Sequence, residues 1–152
     1  MIMFYTRKGV FNMGTEKKKV FMFLDDDAFH PKNIRHPRYY YPLIGAEHIE
    51  KLAYQCNIEK FTTVEGAMDY IEREGCPDFI SFDNDLQREL EGFHLAKWLV
   101  EKDLDNPGFI PEGFDFFVHS QNNVASERII SYLGDYLESK KQDLKKVSRV
   151  KM

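Results

Sequence analysis

Three short runs in this chain are apolar at almost every position, and each stops at a polar residue able to do chemistry. Val20-Phe21-Met22-Phe23-Leu24 runs into Asp25-Asp26-Asp27, and Phe79-Ile80-Ser81-Phe82 runs into Asp83-Asn84-Asp85. The third, Phe114-Asp115-Phe116-Phe117-Val118, runs into His119-Ser120. A strand apolar on both sides belongs inside a sheet whose two faces are covered, and this is the situation of parallel sheets in α/β domains. If the three strands are parallel, their polar ends meet at one edge, where ligands bind in such sheets.

The segments between these runs supply the covering helices. Residues 46–55 place Ile49, Leu52 and Ala53 on one helical face. Lys60-Phe61-Thr62-Thr63-Val64 reads as a further strand from its β-branched and aromatic content. Thr63 then caps a helix over 64–74, with Ala67, Met68 and Ile71 inward and Gly75 just past its end. Gly92 precedes a helix packed through Leu95, Ala96, Trp98 and Leu99, and a last helix covers about 124–139. The order β-α-β-α-β-α-β-α predicts a three-layer α/β/α fold with a parallel sheet of about four to five strands. Residues 28–45, with Pro31, Pro37, Pro42 and Tyr39-Tyr40-Tyr41, read as a long functional loop or lid.

Length and charge narrow the class. A chain of 152 residues is long enough for one domain with a substantial core. No apolar run approaches the roughly 18 residues of a membrane span, and no signal-peptide pattern is present. Cys56 and Cys76 lack metal-ligand spacing, which reads as small core residues in a reducing, cytoplasmic setting. The net charge of −4 is unevenly spread. Residues 1–19 carry +4 and residues 140–152 carry +5, whereas the 120 between hold ten bases against 23 acids, a charge of −13. Such an acidic body is a poor general nucleic-acid surface. The expected organisation is an N-terminal extension over 1–19, a domain over 20–139, and a basic tail over 140–152. Met13 and the turn residues near Gly9 leave the order of the extension open, with a short strand near residues 2–5.

Carboxylates gathered at one edge repel one another unless a cation or shared protons intervene. Asp25, Asp26 and Asp83, with Asp85 assisting, are the candidate ligands for Mg²⁺ (or Mn²⁺), a cation that takes few carboxylates and recruits phosphate oxygens. His119 is the candidate general acid/base and Asp83 its catalytic partner. Ser120 and Asn122, just before a helix N-terminus, are the candidate phosphate contacts, although helix capping asks for the same residue types.

These motifs resemble one family. Leu24-Asp25-Asp26, Ser81-Phe82-Asp83-Asn84-Asp85-Leu86, Gly92-Phe93 and His119-Ser120-Gln121-Asn122 occur in the order found in the cyclic-phosphate-processing receiver-like domains of bacteria and their phages. These are a divergent branch of the response-regulator receivers. The resemblance spans about residues 20–137 and implies a receiver (flavodoxin)-like fold and metal-dependent handling of cyclic phosphates on nucleotides or RNA ends. Where the family usually places an arginine this chain has Ala28, leaving Arg35, Arg38 or His30 as replacements. A conventional receiver also has a fifth strand bearing a lysine, and none is legible after residue 139.

The first reading is therefore a small metal-dependent phosphoesterase acting on a phosphate-bearing small molecule or RNA end. A receiver-like module that binds a metal or a protein partner without turnover is the alternative. A receiver phosphorylated on Asp83 is disfavoured by the missing lysine strand. The oligomeric state is not legible.

Overall fold

The computed structural model describes residues 4–6, 9–11, 18–26, 51–119 and 123–150. The long loop over 28–45, the first half of the helix expected over 46–55, and Asp27, Ser120 and Asn122 lie outside these residues. A small antiparallel hairpin comes first, β1 (Phe4–Thr6) with β2 (Gly9–Phe11). The strand expected near residues 2–5 is thus one arm of a pair, and Gly9 lies in the second arm opposite Thr6.

The main sheet contains β3 (Val20–Leu24), β4 (Asn57–Phe61), β5 (Phe79–Phe82) and β6 (Asp115–Val118) in the order β4-β3-β5-β6, every pair parallel. Helices α1 (Val64–Glu74), α2 (Gly92–Asp105) and α3 (Asn123–Val150) follow β4, β5 and β6. The parallel sheet is as the alternation predicts and the receiver-like α/β fold is as the resemblance implies, with four strands in the sheet.

Strand alternation divides the core in two. Met22, Leu24, Ile80, Phe82, Phe116 and Val118 face the three helices and meet residues such as Val64, Leu95 and Leu133. Phe21, Phe23, Phe79 and Phe117 face the other way, towards Ala53 and Cys56 beside the helical residues 51–54. On that second face the Phe21 ring stacks against Phe117 at 5.7 Å.

The largest differences from the sequence reading are in β4 and α3. Strand β4 ends at Phe61, three residues before the expected end, because Thr63 is already the cap of α1: its hydroxyl accepts from Gly66 N at 3.1 Å. Gly75 closes that helix at φ 91°, a conformation that suits glycine. Helix α3 continues to Val150 instead of ending near residue 139, so the basic segment is helical for most of its length. Among the described residues no strand follows β6, in keeping with the missing fifth strand. Both cysteines are free thiols, and burial, followed by the charge of Asp78, pushes Cys76 up to about 12.

The helical layer is tied together by Asp103, buried near the end of α2. Its carboxylate accepts from Ile110 N at 2.8 Å, Tyr136 Oη at 2.6 Å and Lys140 Nζ at 2.8 Å. Burial alone pushes its pKa up, but the hydrogen bonds from Lys140, Tyr136 and Ile110 and the Lys140 charge together hold it below the ordinary value. A carboxylate with a depressed folded pKa stabilises the protein above its unfolded pKa of about 3.9, and that contribution is lost as pH falls through the folded value. The urea midpoint of the protein should therefore fall as pH is lowered from about 5 to 3. Asp103→Asn should lower the midpoint at neutral pH and flatten that fall.

Candidate metal and phosphate site

The register of the sheet brings the polar strand ends together. Leu24 lies beside Phe82, and Phe82 beside Val118, so the next residue on each strand arrives at the same level. The ladder continues one step beyond the strands: Asp25 N donates to Phe61 O at 3.0 Å, Asp83 N to Leu24 O at 2.9 Å, and His119 N to Phe82 O at 2.9 Å. Further down, Asp78 Oδ2 accepts from Val20 N at 2.9 Å, pinning the start of β3 against the segment that enters β5.

At this edge Asp25, Asp83 and His119 offer donor atoms that all lie within 4.8 Å of one another. Asp25 is 0% exposed, His119 1% and Asp83 7%. The histidine ring reaches across the middle strand. Its Nδ1 is 2.6 Å from Ser81 Oγ on β5, and its Nε2 is 2.9 Å from Asp25 Oδ2 beyond β3. Adjacent strands are about 4.8 Å apart, so only a side chain of this length joins β6 to β3 in that way. Two buried carboxylates and an imidazole form a donor set suited to a divalent cation, the carboxylates favouring hard ions such as Mg²⁺ or Mn²⁺.

Of the four carboxylates expected as ligands, Asp25 and Asp83 come together here. Asp26 is half-buried at the bend after β3 and lies outside the group. Asp85 is exposed, because the chain has already left the strand at Asn84, and its carboxylate accepts from Asn84 Nδ2 at 3.1 Å.

Asn84 and Gly92 hold the Asp83 loop. Buried Asn84 accepts from Phe93 N at 3.1 Å through Oδ1, accepts from Gly92 N at 3.0 Å through its backbone carbonyl, and donates to Glu91 Oε2 at 3.2 Å. Gly92 packs so closely that an added Cβ would lie 2.2 Å from the Asp83 carbonyl oxygen. Phe93 continues outward beneath Arg128, whose guanidinium lies 3.7 Å from the ring centroid. Ser81 and Asn84 were not assigned roles by the sequence reading. The available signal was a polar residue interrupting an apolar strand, with Ser81 two positions before Asp83 and so on its face.

A family model for the cyclic-phosphate processing receiver domain matches residues 20–135. The chain belongs to this family. The match begins with β3 and takes in the whole parallel sheet, α1, α2 and the first part of α3. Within the receiver domain, the buried Asp25, Asp83 and His119 occupy the carboxyl edge of three neighbouring strands. No curated protein matches the chain. A solved structure described as a yeast Spc42 trimeric coiled-coil segment (amino acids 181–211) in a fusion aligns with 89% of this chain and 88% of its own, at 17% identity and a TM-score of 0.40. No helix among the described residues is long and apolar enough to cross a membrane.

Proposed function

We propose that this receiver domain is a divalent-cation-dependent phosphoesterase acting on cyclic phosphates of nucleotides or RNA ends. The observation that carries the reading is the meeting of Asp25, Asp83 and His119 within 4.8 Å at a nearly buried edge. Asp25 and Asp83 would hold Mg²⁺ or Mn²⁺, with His119 Nε2 as a third donor. Bound there, such a cation neutralises charge on a phosphoryl oxygen and lowers the pKa of water.

The chain's own part is to fix these donors and to exclude bulk water from behind them. The burial of Asp25, Asp83, His119 and Ser81 supports that task, since charges interact more strongly where water is absent. Ser120 and Asn122, between His119 and the start of α3, are proposed to take the phosphate oxygens, where a helix N-terminus favours negative charge. In this reading the role of His119 moves from acid/base to ligand, because Nδ1 faces Ser81 and Nε2 faces Asp25.

The same engagement of both ring nitrogens favours a second reading, a cation-binding module without turnover. The two are separated by incubating the protein and Asp83→Asn with Mg²⁺ or Mn²⁺ and 2′,3′-cyclic nucleotides, 3′,5′-cyclic nucleotides and RNA bearing a terminal cyclic phosphate, followed by ³¹P NMR. Ring opening by the wild type and none by the variant is the expected result. Cation binding with no turnover on any member leaves the binding module.

A further inference from the structure

Resting on the cation reading of this edge, we infer that Ser81 is a positioning residue that holds the His119 ring by Nδ1 and so turns Nε2 towards the carboxylates. Ser81 is 0% exposed and lies beneath the imidazole, so its hydroxyl is placed to orient the ring and not to attack a substrate. A neutral imidazole has one N–H and one lone pair. Nδ1 is committed to Ser81 Oγ at 2.6 Å, which leaves Nε2 as the atom that meets the carboxylates.

Without a cation, the 2.9 Å contact between Nε2 and the Asp25 oxygen calls for a proton between them, because two facing lone pairs would repel each other. Were Asp25, Asp83 and His119 to hold a cation, Nε2 would present its lone pair and the ring proton of a neutral imidazole would belong on Nδ1. A hydroxyl serves both states, since it donates to a bare Nδ1 and accepts from a protonated one. For the neutral ring the balance is one proton lost from Nε2 and one gained at Nδ1, with the serine O–H turning from donor to acceptor. Partners of this kind fix the orientation of ligating histidines, and their loss typically costs about 10–100-fold in metal affinity.

The test is ¹⁵N NMR of the full chain labelled at histidine, before and after Mg²⁺, with calorimetric Mg²⁺ titration of the wild type, Ser81→Ala and Ser81→Thr. We expect His119 to carry its proton on Nε2 without Mg²⁺ and on Nδ1 with it. We also expect about a 10–100-fold affinity loss in Ser81→Ala, restored in part by Ser81→Thr. Tight binding with an unchanged tautomer, or equal affinity in a folded Ser81→Ala, overturns the role of Ser81 and leaves the cation site standing. If no variant and no wild type binds Mg²⁺, the cation reading fails. The cation-free spectrum still decides in that case: a proton on Nδ1 with Nε2 bare overturns the assignment, and a proton on Nε2 that redistributes in Ser81→Ala supports it.

Discussion

Asp83→Asn should abolish divalent-cation binding while leaving the protein folded. The carboxylate is one of two that share the edge with His119, and asparagine keeps its shape while removing the charge. Losing a partner outside the coordination shell costs about 10–100-fold in affinity, so losing a direct ligand should cost more than roughly 100-fold. Stability should move the other way or hardly at all, because neutralising one of two neighbouring buried carboxylates relieves their repulsion. Calorimetry with Mn²⁺ and urea unfolding of the same samples measure the two effects separately. A variant that binds Mn²⁺ as the wild type does would remove Asp83 from the site.

The largest stability loss is expected from Gly92→Ala. Helix propensity favours alanine over glycine, which at the first residue of α2 predicts at most a small gain. Here the new methyl would sit 2.2 Å from the Asp83 carbonyl oxygen and 3.0 Å from Asn84 Cα, both backbone atoms that no rotamer change can remove. Overpacking of this kind costs about 1–3 kcal/mol and occasionally more, so the steric term wins. We expect about 3 kcal/mol of destabilisation, a fall in Tm of roughly 6–12 °C for a chain of this size, and weakened cation binding as the Asp83 loop is pushed aside. An unchanged Tm would mean that α2 can slide away from the loop without loss.

Most of this site was readable because its logic is periodic. Apolar strands that stop at Asp25, Asp83 and His119, joined by helical segments, leave a parallel sheet as the economical arrangement, and its register then does the gathering. The cap at Thr63 and the left-handed Gly75 were equally local. Edge strand β4 was placed three residues late because its first residues, Asn57, Ile58 and Glu59, carry little apolar signal, and a strand with one free side needs little. The end of α3 was missed for a related reason. Residues 141–145 are all exposed, so no apolar stripe marks them, whereas lysine, glutamine and leucine favour helix by propensity alone.

What the pattern did not carry were the contacts made at long range. The imidazole of His119 meets Ser81 from 38 residues away and Asp25 from 94, and only the folded register puts them on one face. The hydrogen bonds of Asn84 to the start of α2 depend on where Gly92 lands, which no local spacing encodes. Asp26 reads in sequence as the equal of Asp25, and Asp85 as an assisting partner of Asp83; the chain turns at the strand ends and leaves both outside the buried group.

The central claim is that Asp25, Asp83 and His119 form one cation site at the carboxyl edge of the sheet. Crystals of the protein grown with Mn²⁺ and measured at the manganese absorption edge test it directly. The account predicts a single anomalous peak bonded to one oxygen each of Asp25 and Asp83 and to His119 Nε2, at about the 2.1 Å typical of small hard divalent cations. An ordered edge with all three side chains as described and no peak between them would contradict it.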